Sequence, residues 1–232
     1  MLYKYYSMQD YYNATPSDGL SFRDRRIGGL HPFKDKYLIE KTPVQGNPRF
    51  SIFDSDGEVE FEYTRYPDFS SIGYDDPNIV GRMFFGRSRI SIKPDNTKFV
   101  ITMGGGAMLE IFSLAGDTIS LIKEKRFYPP KYELTNKIAN PIASLPGMVP
   151  GFLYVCATDS YIYASFSDKL QGVSGTTDHY LYVFDWEGNP VKSYKIAGGL
   201  RCFDVDVENK RVYFAKSDAE KGELFGYFDI LE

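Results

Sequence analysis

The apolar positions of this chain fall into short runs, many alternating with polar residues, separated by clusters of Gly, Asn, Asp, Ser and Pro. That is the pattern of strands and turns. The clearest case is residues 179–196, where two runs rich in aromatic and β-branched residues flank Asp185-Trp186-Glu187-Gly188-Asn189. This predicts a β-hairpin whose Gly supplies the positive φ at the bend. The same pattern recurs over residues 50–61, bending at 53–57, and over residues 109–122, bending at 112–117. A further start, Gly226-Tyr227-Phe228-Asp229, lies near the C-terminus. Phe53, Phe112 and Phe184 each stand at the entry to a bend. They are predicted to be equivalent core residues, with Ile52, Ile111 and Val183 on the opposite face of the strand.

A second signature, a polar turn followed by an apolar strand, occupies residues 33–39, 95–101, 158–164 and 208–214. Two hairpins in series make four strands per unit, and the units span about 28–67, 88–129, 150–196 and 200–232. A repeat of that length with four strands is the signature of a β-propeller blade. The expected fold class is therefore all-β, a propeller of about four four-stranded blades in a single domain. A two-layer sandwich is the alternative. The insertions at 68–86, 130–148 and 167–178 read as loops, and no stretch sustains a 3.6-residue apolar stripe, so no helix is predicted. The fourth unit holds only three strands, and residues 2–8 have the composition of an extra one. An open array is expected, with those residues far from Phe228 and with open blade edges available for self-association.

Aromatic residues make up 16 % of the chain, with 19 Tyr and 18 Phe, which strengthens the strand assignment. The net charge of −4 and the lack of a Lys/Arg-rich run leave no electrostatic footprint for nucleic acid. No apolar stretch is long enough for a transmembrane helix. The first residues do not read as a signal peptide, so the expectation is a cytosolic protein or a mature or partial chain. Two cysteines, Cys156 and Cys202, lie in apolar runs and read as buried free thiols, with a single disulfide as the alternative.

Several stretches resemble the TolB-like six-bladed propeller proteins of Bacteroidota, mostly uncharacterised envelope lipoproteins. The residues that carry the resemblance are 90–103, Leu109-Glu110-Ile111-Phe112, Phe127-Tyr128-Pro129-Pro130-Lys131-Tyr132, Gly151-Phe152 with 158–163, and above all Val183 to Val191 with its Asp-Trp-Glu-Gly-Asn-Pro centre. The similarity runs from about Ile27 to the end and suggests the C-terminal four blades of such a protein. It implies a binding or scaffold role at the periplasm or cell surface, with an unknown protein, peptide or glycan as partner, and it transfers no catalytic residue.

Candidate chemistry is sparse. Asp54-Ser55-Asp56-Gly57-Glu58 resembles the start of a calcium loop but lacks the closing Glu, so it reads as a turn. Gly104-Gly105-Gly106 has no helix start after it and reads as a tight strand connection rather than a phosphate cradle. His31, before Pro32, reads as structural. His179, at the end of the third insertion, stands where a binding loop would be. Asp75, Asp76, Asp178 and His179 are the polar groups with metal-ligand chemistry, and Asp75-Asp76-Pro77-Asn78 is equally a turn signal. Arg82 and Arg89, flanking Arg87, precede or enter one inner strand, and Arg201 enters another. Such arginines would hold an anionic ligand from a central channel by bidentate hydrogen bonds. Tyr128 and Tyr132, with two prolines between them, would form an aromatic rim for a glycan or peptide. The expected ligand-binding set is thus Arg82, Arg89, Tyr128, Tyr132, His179 and Arg201, with no catalytic residue, metal or cofactor. A metal-assisted hydrolase, lactonase or lyase is the rival reading, and it requires carboxylates, Asn or His converging on the channel.

Overall fold

A computed structural model describes residues 27–41, 48–84, 88–115, 118–135, 142–167, 178–206, 208, 210–218 and 222–230. The aromatic and β-branched runs form antiparallel sheets in strict chain order. The first sheet is β1 (Ile27–Phe33), β2 (Lys36–Lys41), β3 (Phe50–Phe53) and β4 (Val59–Tyr63). The second is β5 (Ser88–Ile92), β6 (Lys98–Gly104), β7 (Ala107–Ala115) and β8 (Thr118–Arg126). Between the second and third lies a two-stranded sheet, β9 (Tyr132–Leu134) with β10 (Ile142–Ser144). The third is β11 (Gly151–Ala157), β12 (Ile162–Ser167), β13 (His179–Phe184) and β14 (Pro190–Ile196). The fourth holds, among the described residues, three strands, β15 (Gly199–Val205), β16 (Arg211–Asp218) and β17 (Gly222–Asp229). The first strands line up side by side, β1 against β5, β5 against β11 and β11 against β15, as the inner strands of successive propeller blades do.

The repeat extends to the detail of the hairpins. The β3–β4, β7–β8 and β13–β14 pairs each carry a bulge at one place, between Ile52 and Phe53, Ile111 and Phe112, and Val183 and Phe184. Asp54 and Asp185 cap the bends that follow: the N–H groups of Asp56 and Glu58 donate to Asp54 Oδ1 at 2.9 and 2.8 Å, and those of Glu187 and Asn189 donate to Asp185 Oδ1 at 3.0 and 2.8 Å. Gly57 and Gly188 supply φ of 85° and 77°, which other residues rarely adopt. The Asp54 loop is a turn, as its sequence suggests.

Alternation sends the two residues at each bulge to opposite sides. Ile52 packs towards the second sheet with Leu38, Phe50, Phe99 and Phe112, while Ile111 packs towards the third with Phe152, Ile162 and Phe184. Val183 packs towards the fourth with Leu200, Val205 and Val212. Phe53, Phe112 and Phe184 point back the other way and are all buried. A buried ion pair also ties the first two sheets: Nη1 and Nη2 of Arg49 donate to Oε1 and Oε2 of Glu110 at 3.1 and 2.5 Å.

Three expectations need correction. The first insertion is not all loop: it contains helix α1 (Pro77–Phe84), whose Val80 and Met83 are buried. Pro77 occupies the first helical position, where its missing N–H costs nothing, and the carbonyl of Asp76 accepts from Ile79 and Val80. The second insertion contains the β9–β10 hairpin. Helix and hairpin pack together, with Phe69, Met103, Met108 and Met148, over one end of the second sheet. Finally, both cysteines are free, but Cys202 is exposed, because a register shift between Leu200 and Cys202 interrupts the alternation along β15, so that Phe203 and Val205 and not Cys202 continue the face on which Leu200 packs. The extra-strand expectation for residues 2–8, and with it the distance to Phe228, lies outside the described residues, as does Arg87.

Candidate functional site

An aromatic concave surface lies where the end of β8 meets the third sheet. Phe127 and Tyr128 continue the β8 line past Arg126, held by their N–H groups donating to the Ala107 carbonyl at 2.8 and 3.4 Å. Opposite them the strands of the third sheet present Phe152, Phe166, Tyr182 and Phe184 on one face, with Pro190 at its margin. Together these residues line a cleft of about 350 Å³. Its rings touch in a continuous network. Phe127 meets Phe152 edge to face at 5.7 Å and Phe184 at 5.9 Å. Tyr128 stacks on Phe166 at 6.0 Å, and Phe166 meets Tyr182 at 5.5 Å. Offset and edge-on contacts of this kind hold rings in fixed orientation. Phe152, Phe166 and Phe184 form the buried floor, while Phe127 and Tyr128 are 44 % and 47 % exposed at the mouth.

Strand alternation also fixes what stands beside the cleft. Lys123 and Lys125 pair across the ladder with Ile111 and Leu109, which face the third sheet, so Lys123, Lys125 and Phe127 form one row on that side of β8. Gly188, two residues before Pro190, lies against the stems of both lysines: a Cβ there would stand 3.4 Å from Lys123 Cγ and 3.6 Å from Lys125 Cε.

The residues singled out from sequence scatter. Tyr128 is at the cleft mouth. Tyr132 is buried in the layer under α1, its N–H donating to Tyr74 Oη at 2.8 Å while Tyr74 Oη donates to its carbonyl at 2.7 Å. It belongs to the core and not to the rim that Tyr128 occupies. His179 is buried at the start of β13, where its Nδ1 accepts from the Leu200 N–H at 2.9 Å. The neighbouring Asp178 pairs with Lys195 at 2.6 Å. Arg82 lies on α1. Arg89 is exposed on β5 and donates to the Ser88 carbonyl at 2.8 Å. Arg201 is exposed on β15 and donates to Ser217 Oγ at 2.6 Å. Arg89 and Arg201 lie on the first strands of two different sheets, β5 and β15, with the third sheet between them in chain order.

The polar cluster that sequence reading missed sits between the first two sheets. Ser88 Oγ donates to the buried Glu40 Oε1 at 2.6 Å. Burial pushes the Glu40 carboxyl above its ordinary range, against the pull of Ser88, Arg49 and Arg89. Burial likewise pushes the Tyr66 phenol up to about 12, opposed by Arg49. On β11, burial and then Asp204, which accepts from its Sγ at 3.2 Å, push the Cys156 thiol up to about 12, so it is a thiol at neutral pH. Among the described residues, no three His, Cys, Asp or Glu side chains converge as a metal site would require.

A family model described as TolB-like 6-blade propeller-like matches residues 5–208. A search of curated proteins found no match. Among solved structures, the β-propeller domain of Cps50 (Swd1) from Myceliophteria thermophila is 11 % identical, covering 83 % of this chain and 49 % of that one, with a TM-score of 0.48. A member of the DUF4221 family from Bacteroides vulgatus is 12 % identical over 91 % of this chain and 66 % of that one, with a TM-score of 0.44. A gluconolactonase from Xanthomonas campestris is 15 % identical over 91 % and 62 %, with a TM-score of 0.42. The chain thus spans between 49 % and 66 % of the length of these structures. The match over residues 5–208, on a chain whose sheets stack as successive blades, makes this protein a member of the TolB-like six-bladed propeller family.

Proposed function

We propose that this protein is a non-enzymatic binding or scaffold module of the bacterial cell envelope, and that its partner docks in the aromatic cleft between the second and third blades. The observation that carries this reading is the cleft itself: six rings and a proline around about 350 Å³, with Phe127 and Tyr128 half exposed at the mouth. That volume lies within the range of natural ligand sites, about 300–1,000 Å³. Rings and proline offer stacking and apolar burial, which is the chemistry of recognition; they supply neither a nucleophile nor an acid–base pair. The floor is rigid because it is built on paired strands, and the mouth lies at the end of the second blade that carries the packed insertions, where a rigid β scaffold usually presents its recognition surface. The family resemblance supports the envelope location.

The test is an unbiased selection from a random peptide library displayed on phage, run in parallel on the protein and on its Phe127→Ser/Tyr128→Ser variant. Both positions are at the surface, so the variant retains the buried floor. Binders that need the two rings support the reading. Binders indifferent to them, or turnover of lactone substrates by the purified protein, contradict it.

A further inference from the structure

The cleft has a charged continuation that narrows the class of ligand. Lys123 and Lys125 stand on the same side of β8 as Phe127, and neither has an ion-pair partner within 4.0 Å among the described residues. The nearby carboxylate of Asp185 accepts from the turn it caps and attracts Lys125 without forming an ion pair with it, and Glu124 on the opposite side of β8 is paired with Arg126 at 2.5 Å. The surface therefore reads, along one strand, as cation, cation, aromatic cleft.

Resting on the binding role proposed above, we propose that the ligand is an extended acidic peptide segment bearing proline, lying along β8 with its carboxylates at Lys123 and Lys125 and its proline on Phe127 and Tyr128. Aromatic-lined grooves take polyproline II segments because the ligand is already extended and loses little entropy on docking. The dimensions agree. Lys123 to Phe127 is about 13 Å along a strand, which a polyproline II chain at about 3.1 Å per residue covers in roughly four residues. Carboxylates two and four residues from the proline would then meet the two lysines. An anionic sugar shares the charge, but its hydroxyls would find few partners in a lining whose polar side-chain groups are the Tyr128 and Tyr182 phenols, and unmade hydrogen bonds are costly.

The experiment measures fluorescence anisotropy of labelled synthetic peptides with Glu at those spacings from a proline pair, in both chain directions. The controls are the same peptides with Gln for Glu and an oligogalacturonate. The expected result is that one acidic peptide binds and that its Gln version binds roughly threefold to tenfold more weakly. Lys123→Gln/Lys125→Gln should impose the same loss on the acidic peptide and none on the neutral one. The difference should vanish near 1 M salt, where screening acts within about 3 Å. Equal binding of neutral and acidic peptides, both lost in Phe127→Ser/Tyr128→Ser, would overturn the charge assignment and leave the binding role standing. Tighter binding of the oligogalacturonate through the same residues would overturn the peptide assignment. If no peptide binds and the phage selection is also indifferent to the two rings, both proposals fall.

Discussion

Phe184 shows how much one side chain carries at a blade junction. It is 2 % exposed and sits among Phe127, Phe152 and Tyr182. Phe184→Ala is expected to cost about 3–5 kcal/mol in urea denaturation, the range for deleting a buried aromatic ring; a loss under about 1 kcal/mol would mean that the junction does not depend on it. Glu40 makes a prediction about pH. Burial raises its pKa above the ordinary 4.5, so around and above that value the native state holds its proton more tightly than the unfolded chain does. Its contribution is fully present below the unfolded pKa and is lost as pH rises through the folded one. Glu40→Gln keeps an oxygen for Ser88 and removes the charge, so it should flatten this part of the pH profile and be more stable than the parent near neutrality. A variant that follows the parental profile would show that Glu40 is not the titrating group. At this scale the sequence was readable where a residue acts on its neighbours in the chain: Asp54, Asp185 and their glycines announce their bends. It was unreadable where the partner is distant, as for His179, which looked like a loop histidine but is buried against the Leu200 N–H.

The elements divide by length and by the range of their contacts. The hairpins were legible because aromatic and β-branched runs broken by Asp and Gly specify a strand period and a bend together. Helix α1 was not, because its eight residues hold too little of a 3.6-residue stripe. Its signals were present: Asp76 before Pro77 is a cap followed by proline at the first helical position, and Ile79, Val80 and Met83 fall on one side. The same residues also spell a turn. The junction between the first two blades was illegible in its polar part, since Arg49 and Glu110 are 61 residues apart. That pair gives a test of blade docking. Removing either charge alone, by Arg49→Met or Glu110→Leu, strands the other in a buried site and should cost about 3–5 kcal/mol. Both substitutions together should cost less than either. Additive losses would show that the pair does not act as a unit.

In the whole molecule, four successive blades of a six-bladed family stack so that each apolar face meets the next, and the second and third leave an aromatic cleft open between them. The fold class was legible because the repeat states it several times. The cleft was legible at one residue, Tyr128, because a site assembled from β8 on one blade and β11 to β14 on the next has no local signature. Its floor rings look in sequence like any core residues of a strand. The fourth blade provides a control surface, with Tyr227 58 % exposed on the side away from the third. The most direct measurement is site-specific photo-crosslinking in the native host, with a benzophenone amino acid placed at position 128 or at position 227. A discrete crosslinked partner at 128 and none at 227 is the predicted result. A partner captured at 227 and not at 128 would contradict the assignment of the cleft as the binding site.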